Sequence, residues 1–279
     1  MQKGAKQEGV TEKSATTGSN SHRLYSILAN SLCLPTGYFS GCRDCQLGKE
    51  NSVLAGDSLA ETLWRLEEIR CGFIKASEAQ TKEAIDWVLS RQGLKDAYRG
   101  LFAPTEKDLR GVKLLTGEPI SSAALRHILG EEALRTVIVW NLGSAPAAKK
   151  AASSFNDILK RTGEPPAEET GWFCCHKCTI AFLRTLATVR SEGWKTTVQK
   201  GVENIGKKRT PDGKWHGFPF YYTLLTLSEI DLPSAKAELR HARPIAGKLM
   251  KRYQKNDRTS RLRKMGLEEA MTGQKQEVV

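Results

Sequence analysis

Long hydrophobic runs are missing from this chain. The longest local one, Thr136 to Trp140, falls far short of the roughly 20 apolar residues of a bilayer-spanning helix. The opening stretch has no apolar core of the kind a secretory signal carries, and its Gly, Ser, Thr, Lys and Glu content reads as a disordered tail over residues 1–20. Alternating apolar and polar stretches are also absent, as are hairpin signals, which removes the usual marks of a sheet. No phosphate-cradling glycine loop, Ser/His/Asp set or HExxH appears, and no helix-turn-helix, finger spacing or basic zipper stands out. The seven cysteines are an odd number in a chain without an export signal. That argues against a disulfide scaffold and for a cytoplasmic protein with reduced thiols.

What is present is a helical pattern and an uneven charge. Hydrophobic residues make up 39% of the 279, enough for a substantial core. The net charge of +12 is concentrated in one quarter of the chain: from Lys195 to Lys264 there are seventeen Lys and Arg against six Asp and Glu. Such segregation suits a polyanionic partner, whether nucleic acid, a phosphorylated ligand or an anionic membrane surface; the plain alternative is a solvated basic face. On helical spacing Lys248, Lys251, Arg252 and Lys255 share one side, while Ile245, Leu249 and Tyr253 fall on another. With Arg261 and Arg263 these cations are the candidate anion-binding residues.

Amphipathic periods run through most of the chain. Leu59, Leu63, Leu66 and Ile69 form one stripe behind a cap at Asp57 or Ser58; a second helix opens at Ser77. "RTVIVW" sits inside a longer helical period. The reading is all-α, with about ten or more helices. A repeat lies beneath it. "AIDWVLSRQGLKDAYRGLFAP" and "GVENIGKKRTPDGKWHGFPFY" align without a gap: an apolar helix, a basic end, a polar turn, an aromatic (Tyr98, Trp215), a glycine (Gly100, Gly217) and further aromatics. A looser third copy places Trp172 at the aromatic position. Such units imply stacked helical hairpins, α/α toroid-like or an α-solenoid. The expected organisation is a tail (1–20), a hairpin-repeat domain (21–232) and basic C-terminal helices (233–279).

"WVLSRQ" (Trp87 to Gln92), "GWFCCHKCTIAFLRTLA" (Gly171 to Ala187) and "DGKWHGFPFYYTLLTLSEI" (Asp212 to Ile230) carry a resemblance to the repeats of the prenyltransferase and squalene-cyclase α/α toroids, over roughly residues 57 to 232. The resemblance implies a fold of paired helices more than an activity. The DxDD acid motif of the cyclases is absent. The prenyltransferase zinc site has an Asp-x-Cys pair at a helix start and a His at a later one. Here Cys178 stands where that Cys would, His176 replaces the Asp, and the later start reads Phe220, Tyr221, Tyr222.

Three cysteines and a histidine crowd into Cys174–Cys178. On a helix running from about Trp172 to Arg190 the three thiols would share one face with Phe182, Leu186 and Val189. Three readings stand: small side chains filling a core, a zinc site, or a redox centre. In the zinc reading the CxxC of Cys42 and Cys45 joins Cys175 and Cys178, with Cys174 and His176 as substitutes. Around "DGKWHGFPFYY", Trp215, His216, Tyr221 and Tyr222, with Trp172, are the candidate pocket residues; the alternative is a turn whose aromatics close the repeat. Together these give a non-catalytic, toroid-like binding protein with a Cys-ligated structural zinc and an anionic partner. The alternatives are an enzyme acting on an isoprenoid-like or diphosphate substrate in an aromatic-lined cavity, and a nucleic-acid-binding accessory protein.

Overall fold

The computed structural model describes residues 52–162, 171–253 and 256–272. The expected tail, Cys42, Cys45 and Lys255 lie outside the described residues. Among the described residues there are ten α-helices and no strand: α1 (Leu59–Arg70), α2 (Glu78–Ser90), the short α3 (Glu106–Leu109), α4 (Ser122–Val139), α5 (Pro146–Thr162), α6 (His176–Val189), α7 (Trp194–Gly206), α8 (Phe220–Glu229), α9 (Pro233–Met250) and α10 (Arg258–Thr272). The fold is all-α, and no described helix is long and apolar enough to cross a membrane.

Local chemistry sets the helix starts. Ser58 caps α1 by accepting from the Glu61 amide, and Ser77 forms a reciprocal capping box with Gln80 at α2. Asp108, fully buried, reaches across from α3 and accepts from the Ser58 hydroxyl (2.7 Å) and the Leu59 amide (2.8 Å), so one carboxylate closes the α1 terminus.

Two kinds of helix follow from two kinds of pattern. α5 buries Ala148, Ala151, Phe155 and Ile158 at intervals of three and four, leaving Lys149 and Lys150 exposed. α4 buries every residue from Ile128 to Val137, and α6 every residue from Cys178 to Leu186. Helices buried on all sides lie at the centre of a fold, and α4 and α6 pack on each other along their length. The neighbours then run in order. α1, α4, α6, α8 and α10 each pack on the next; α2, α5, α7 and α9 pack on α1, α4, α6 and α8 respectively. α10 also reaches back to α1 through the ion pairs Arg258–Glu61 (2.8 Å) and Arg261–Glu68.

The two aligned segments adopt related turns. Gly100 and Gly217 occupy the same alignment position and both take a left-handed φ, 78° and 79°. Each turn is crossed by a single β-bridge, Gln92–Phe102 in one and Arg209–Trp215 in the other.

Where α1, α4, α6 and α8 meet, six charges come together, four of them buried and Arg70 and Glu229 half-buried. Arg184 of α6, fully buried, donates to Glu132 (2.8 and 2.9 Å), Glu67 (2.9 Å) and Glu229 (2.8 and 2.9 Å). Arg135 bridges Glu67 (3.2 Å) and Glu229 (2.9 Å), Arg70 adds a two-pronged bond to Glu67, and the Tyr222 hydroxyl donates to Glu132. Three arginines face three glutamates, so the cluster is neutral. Burial alone would push the Glu67 carboxyl up, but Arg135, Arg70 and Arg184 outweigh it and hold it well below the usual carboxylate range. Glu229 is lowered against its burial by Arg135 and Arg184.

Candidate metal centre

The cysteine segment is helical later than its period suggests. Instead of running from about Trp172, α6 starts at His176, with Cys175 as its N-cap and Cys174 outside it in a left-handed conformation (φ 46°). The reason lies upstream. At Gly171 (φ 84°) the chain passes so close to α7 that a Cβ there would lie 2.3 Å from the Gly201 amide nitrogen. Phe173 is tied back by the Thr179 hydroxyl, which accepts from its amide (3.0 Å) and donates to its carbonyl (2.7 Å). A non-glycine residue at positive φ costs of order 1 kcal/mol or more. Here it turns Cys174 back over the first turn of α6.

That turn builds the site. The Cys174 and Cys178 thiols and a ring nitrogen of His127 lie within 4.8 Å of one another, with Cys178 Sγ 3.7 Å from His127 Nδ1. His127 comes from α4, four residues before Glu131. Cys178 is buried, His127 half-buried and Cys174 exposed. Two thiols and an imidazole converging at this spacing form a donor set with the softness and reach to hold a transition metal, zinc above all.

The electrostatics fit a cation. Burial, then the neighbouring Cys175 and Glu131, push the Cys178 thiol strongly up, and burial with Cys175 raises Cys174 as well. A divalent ion reverses both effects, because it stabilises the thiolates that burial and like charge disfavour. The N-terminus of α6 favours the same charge state. Burial and the charge of Arg99 lower His127, which keeps its imidazole neutral, the ligating form. Tyr98 stacks on that ring at 3.8 Å and Phe173 flanks it at 5.6 Å, fixing its plane.

The expected site residues separate here. Cys178 and Cys174 belong to the group, and Cys175 is in thiol contact with both. His176, expected as a substitute ligand, instead stands edge-on to Phe218 (4.6 Å) and Trp172 (5.0 Å), over Gly217. The histidine that does converge, His127, lies 51 residues from Cys178, and a lone histidine in an apolar helical period gives no signal of that.

The aromatic residues split as well. Tyr222 is fully buried and turned to Glu132; Trp215 is buried with its indole nitrogen donating to Glu238 (2.8 Å); His216 is exposed. Tyr221 lies within a chain of rings that runs from Trp215 through Phe220 and on to Tyr253, and Trp172 belongs to the His176–Phe218 group. The basic residues divide too. Lys248, Lys251 and Arg252 are exposed at the end of α9. Arg261 is engaged by Glu68, and Arg263 donates to the Thr116 carbonyl (2.6 Å) and covers the Tyr221 ring at 4.5 Å.

Compared with known proteins, the chain matches no family model, no curated protein and no solved structure.

Proposed function

We propose that this is a non-catalytic helical binding protein in which a zinc ion at His127, Cys174 and Cys178 staples the turn before α6 to α4. The convergence of those three donors from α4, α6 and the turn before α6 carries the reading. A structural role is favoured by the surroundings: the ligand-bearing turn is tied by Thr179, the His127 ring packs against Tyr98 and Phe173, and no acidic motif accompanies the aromatics. Trp215 and Tyr222 have their polar atoms committed to Glu238 and Glu132, which speaks against an apolar cavity built around them. The succession α1, α4, α6, α8, α10 with a return to α1 supports a toroid-like arrangement of paired helices. On this reading the anionic partner meets Lys248, Lys251 and Arg252, exposed in the last turn of α9 and just beyond it.

The test is the metal content of the purified full-length protein beside Cys178→Ser and His127→Ala. About one zinc per chain, lost in both variants, is the expected result. A wild-type protein that neither carries zinc nor takes it up overturns the reading.

A further inference from the structure

Three protein donors leave one corner of a tetrahedron unfilled. The group nearest in chemistry to filling it is also the most anomalous one in the core. Glu131 is fully buried, and neither of its carboxylate oxygens has a hydrogen-bond partner among the described residues. A buried carboxylate is ordinarily paired or coordinates a metal, because leaving it alone forfeits its solvation. Its surroundings make the cost worse. Burial, the adjacent Glu132 and then Cys175 all push its carboxyl well up. Glu131 in turn raises the Cys174 and Cys178 thiols, and its oxygens lie more than 4.8 Å from at least one of the three donors, so ligation requires its side chain to swing toward the ion.

We propose that Glu131 is the fourth ligand, giving a site of one histidine, two cysteines and one glutamate. The proposal rests on the metal reading above. His127 and Glu131 are four residues apart within α4, so their side chains stand on the same face, one turn apart, as in other helix-borne chelating pairs. α6 and the turn before it bring Cys178 and Cys174 to His127, and α4 and α6 are each other's main packing partners. The carboxylate breaks no bond in reaching an ion, because it makes none. Zinc accepts such oxygens at about 2.0–2.2 Å, alongside nitrogen at about 2.0–2.1 Å and sulfur at about 2.3 Å. Cys175, the competing donor, is half-exposed and already in contact with both other thiols.

The distances make the test direct. X-ray absorption at the zinc edge of the zinc-loaded full-length protein should count two sulfur and two nitrogen or oxygen ligands. Glu131→Gln should bind zinc at least tenfold more weakly, and Cys175→Ser should leave the two-sulfur shell and the affinity unchanged. A shell of three sulfurs and one nitrogen, with Glu131→Gln binding as wild type does, overturns the assignment and makes Cys175 the ligand, while the metal reading stands. Absence of zinc binding by the wild type overturns both. A three-sulfur wild-type shell overturns the assignment even where Glu131→Gln fails to fold; a two-sulfur shell with Glu131→Gln binding as wild type does also overturns it, because water then fills the fourth position.

Discussion

Glu131 and Glu132 are neighbours in sequence, on one helix, and equally sequestered from water. Glu132 takes two bonds from Arg184 and one from the Tyr222 hydroxyl. Glu131 takes none. One residue of helical rotation separates a carboxylate at the centre of a complete ion network from one that has no hydrogen-bond partner among the described residues. The difference teaches how to tell structural charge from charge awaiting something. In the network every acceptor meets a donor and charges cancel, so no external ligand is required. Around Glu131 burial, Glu132 and Cys175 all act against its charge, and on the reading proposed above a divalent ion is the simplest complement to them.

The contrast breaks most violently at Arg184. Arg184→Met removes the donor shared by Glu67, Glu132 and Glu229, and so makes Glu132 resemble Glu131. Removing one partner from a buried charge network costs about 3–5 kcal/mol, because the partners left behind stay buried and unpaired. Chemical denaturation should show a loss of that size, or a chain that no longer folds. A loss under 1 kcal/mol would mean that the network is not what holds α1, α4, α6 and α8 together.

Acid gives the next largest effect, and its sign is fixed by the direction of the shifts. Glu67 and Glu229 are held below their ordinary values in the folded protein. The stability they contribute is fully present above the unfolded carboxylate value of about 4.3, and it falls as pH drops through the lower folded values. Each unit of lowering corresponds to about 1.4 kcal/mol. Denaturation midpoints followed from pH 7 to pH 3 should therefore lose this contribution only below about pH 4.3. The loss should be blunted in Arg184→Met where that variant folds. An equally steep acid loss in Arg184→Met would place the acid-sensitive groups elsewhere.

Much of the helical frame is legible in the sequence, because capping and periodicity are local. Ser58 and Ser77 announce their helices, and the all-round burial of α4 and α6 follows from stretches in which polar residues are few or paired. Gly100 and Gly217 mark related turns at related places. The site is legible only by half. Cys174 and Cys178 are conspicuous, yet they meet through a left-handed turn at Cys174, just after the close approach of Gly171 to Gly201, a tertiary contact with no local signature. His127 and Glu131 escape notice because an i, i+4 pair in an apolar helix looks like a tolerated interruption of the core. His176 draws attention by adjacency, but the helix start turns it toward Trp172 and Phe218. The same limit applies to Arg261 and Arg263. They read as part of a basic face, and long-range pairing to Glu68 and Thr116 takes them out of it.

The finest test of the comparison is Glu131→Leu in protein stripped of metal by chelation. If Glu131 is an orphan in the metal-free fold, a side chain of similar size without polar atoms relieves the penalty of an unsatisfied buried group. That penalty is about 1–3 kcal/mol, offset in part by imperfect packing of the new branch. The expected outcome is a small gain, about 1 kcal/mol, by chemical denaturation in the presence of chelator. The equivalent change at the neighbouring position, Glu132→Leu, should be strongly destabilising, since it strands Arg184 and the Tyr222 hydroxyl. Opposite signs at consecutive residues are what the contrast requires. A loss at Glu131 comparable to that at Glu132 would mean that the carboxyl has a partner in the metal-free protein. The Glu131 carboxyl would then no longer point to a cation.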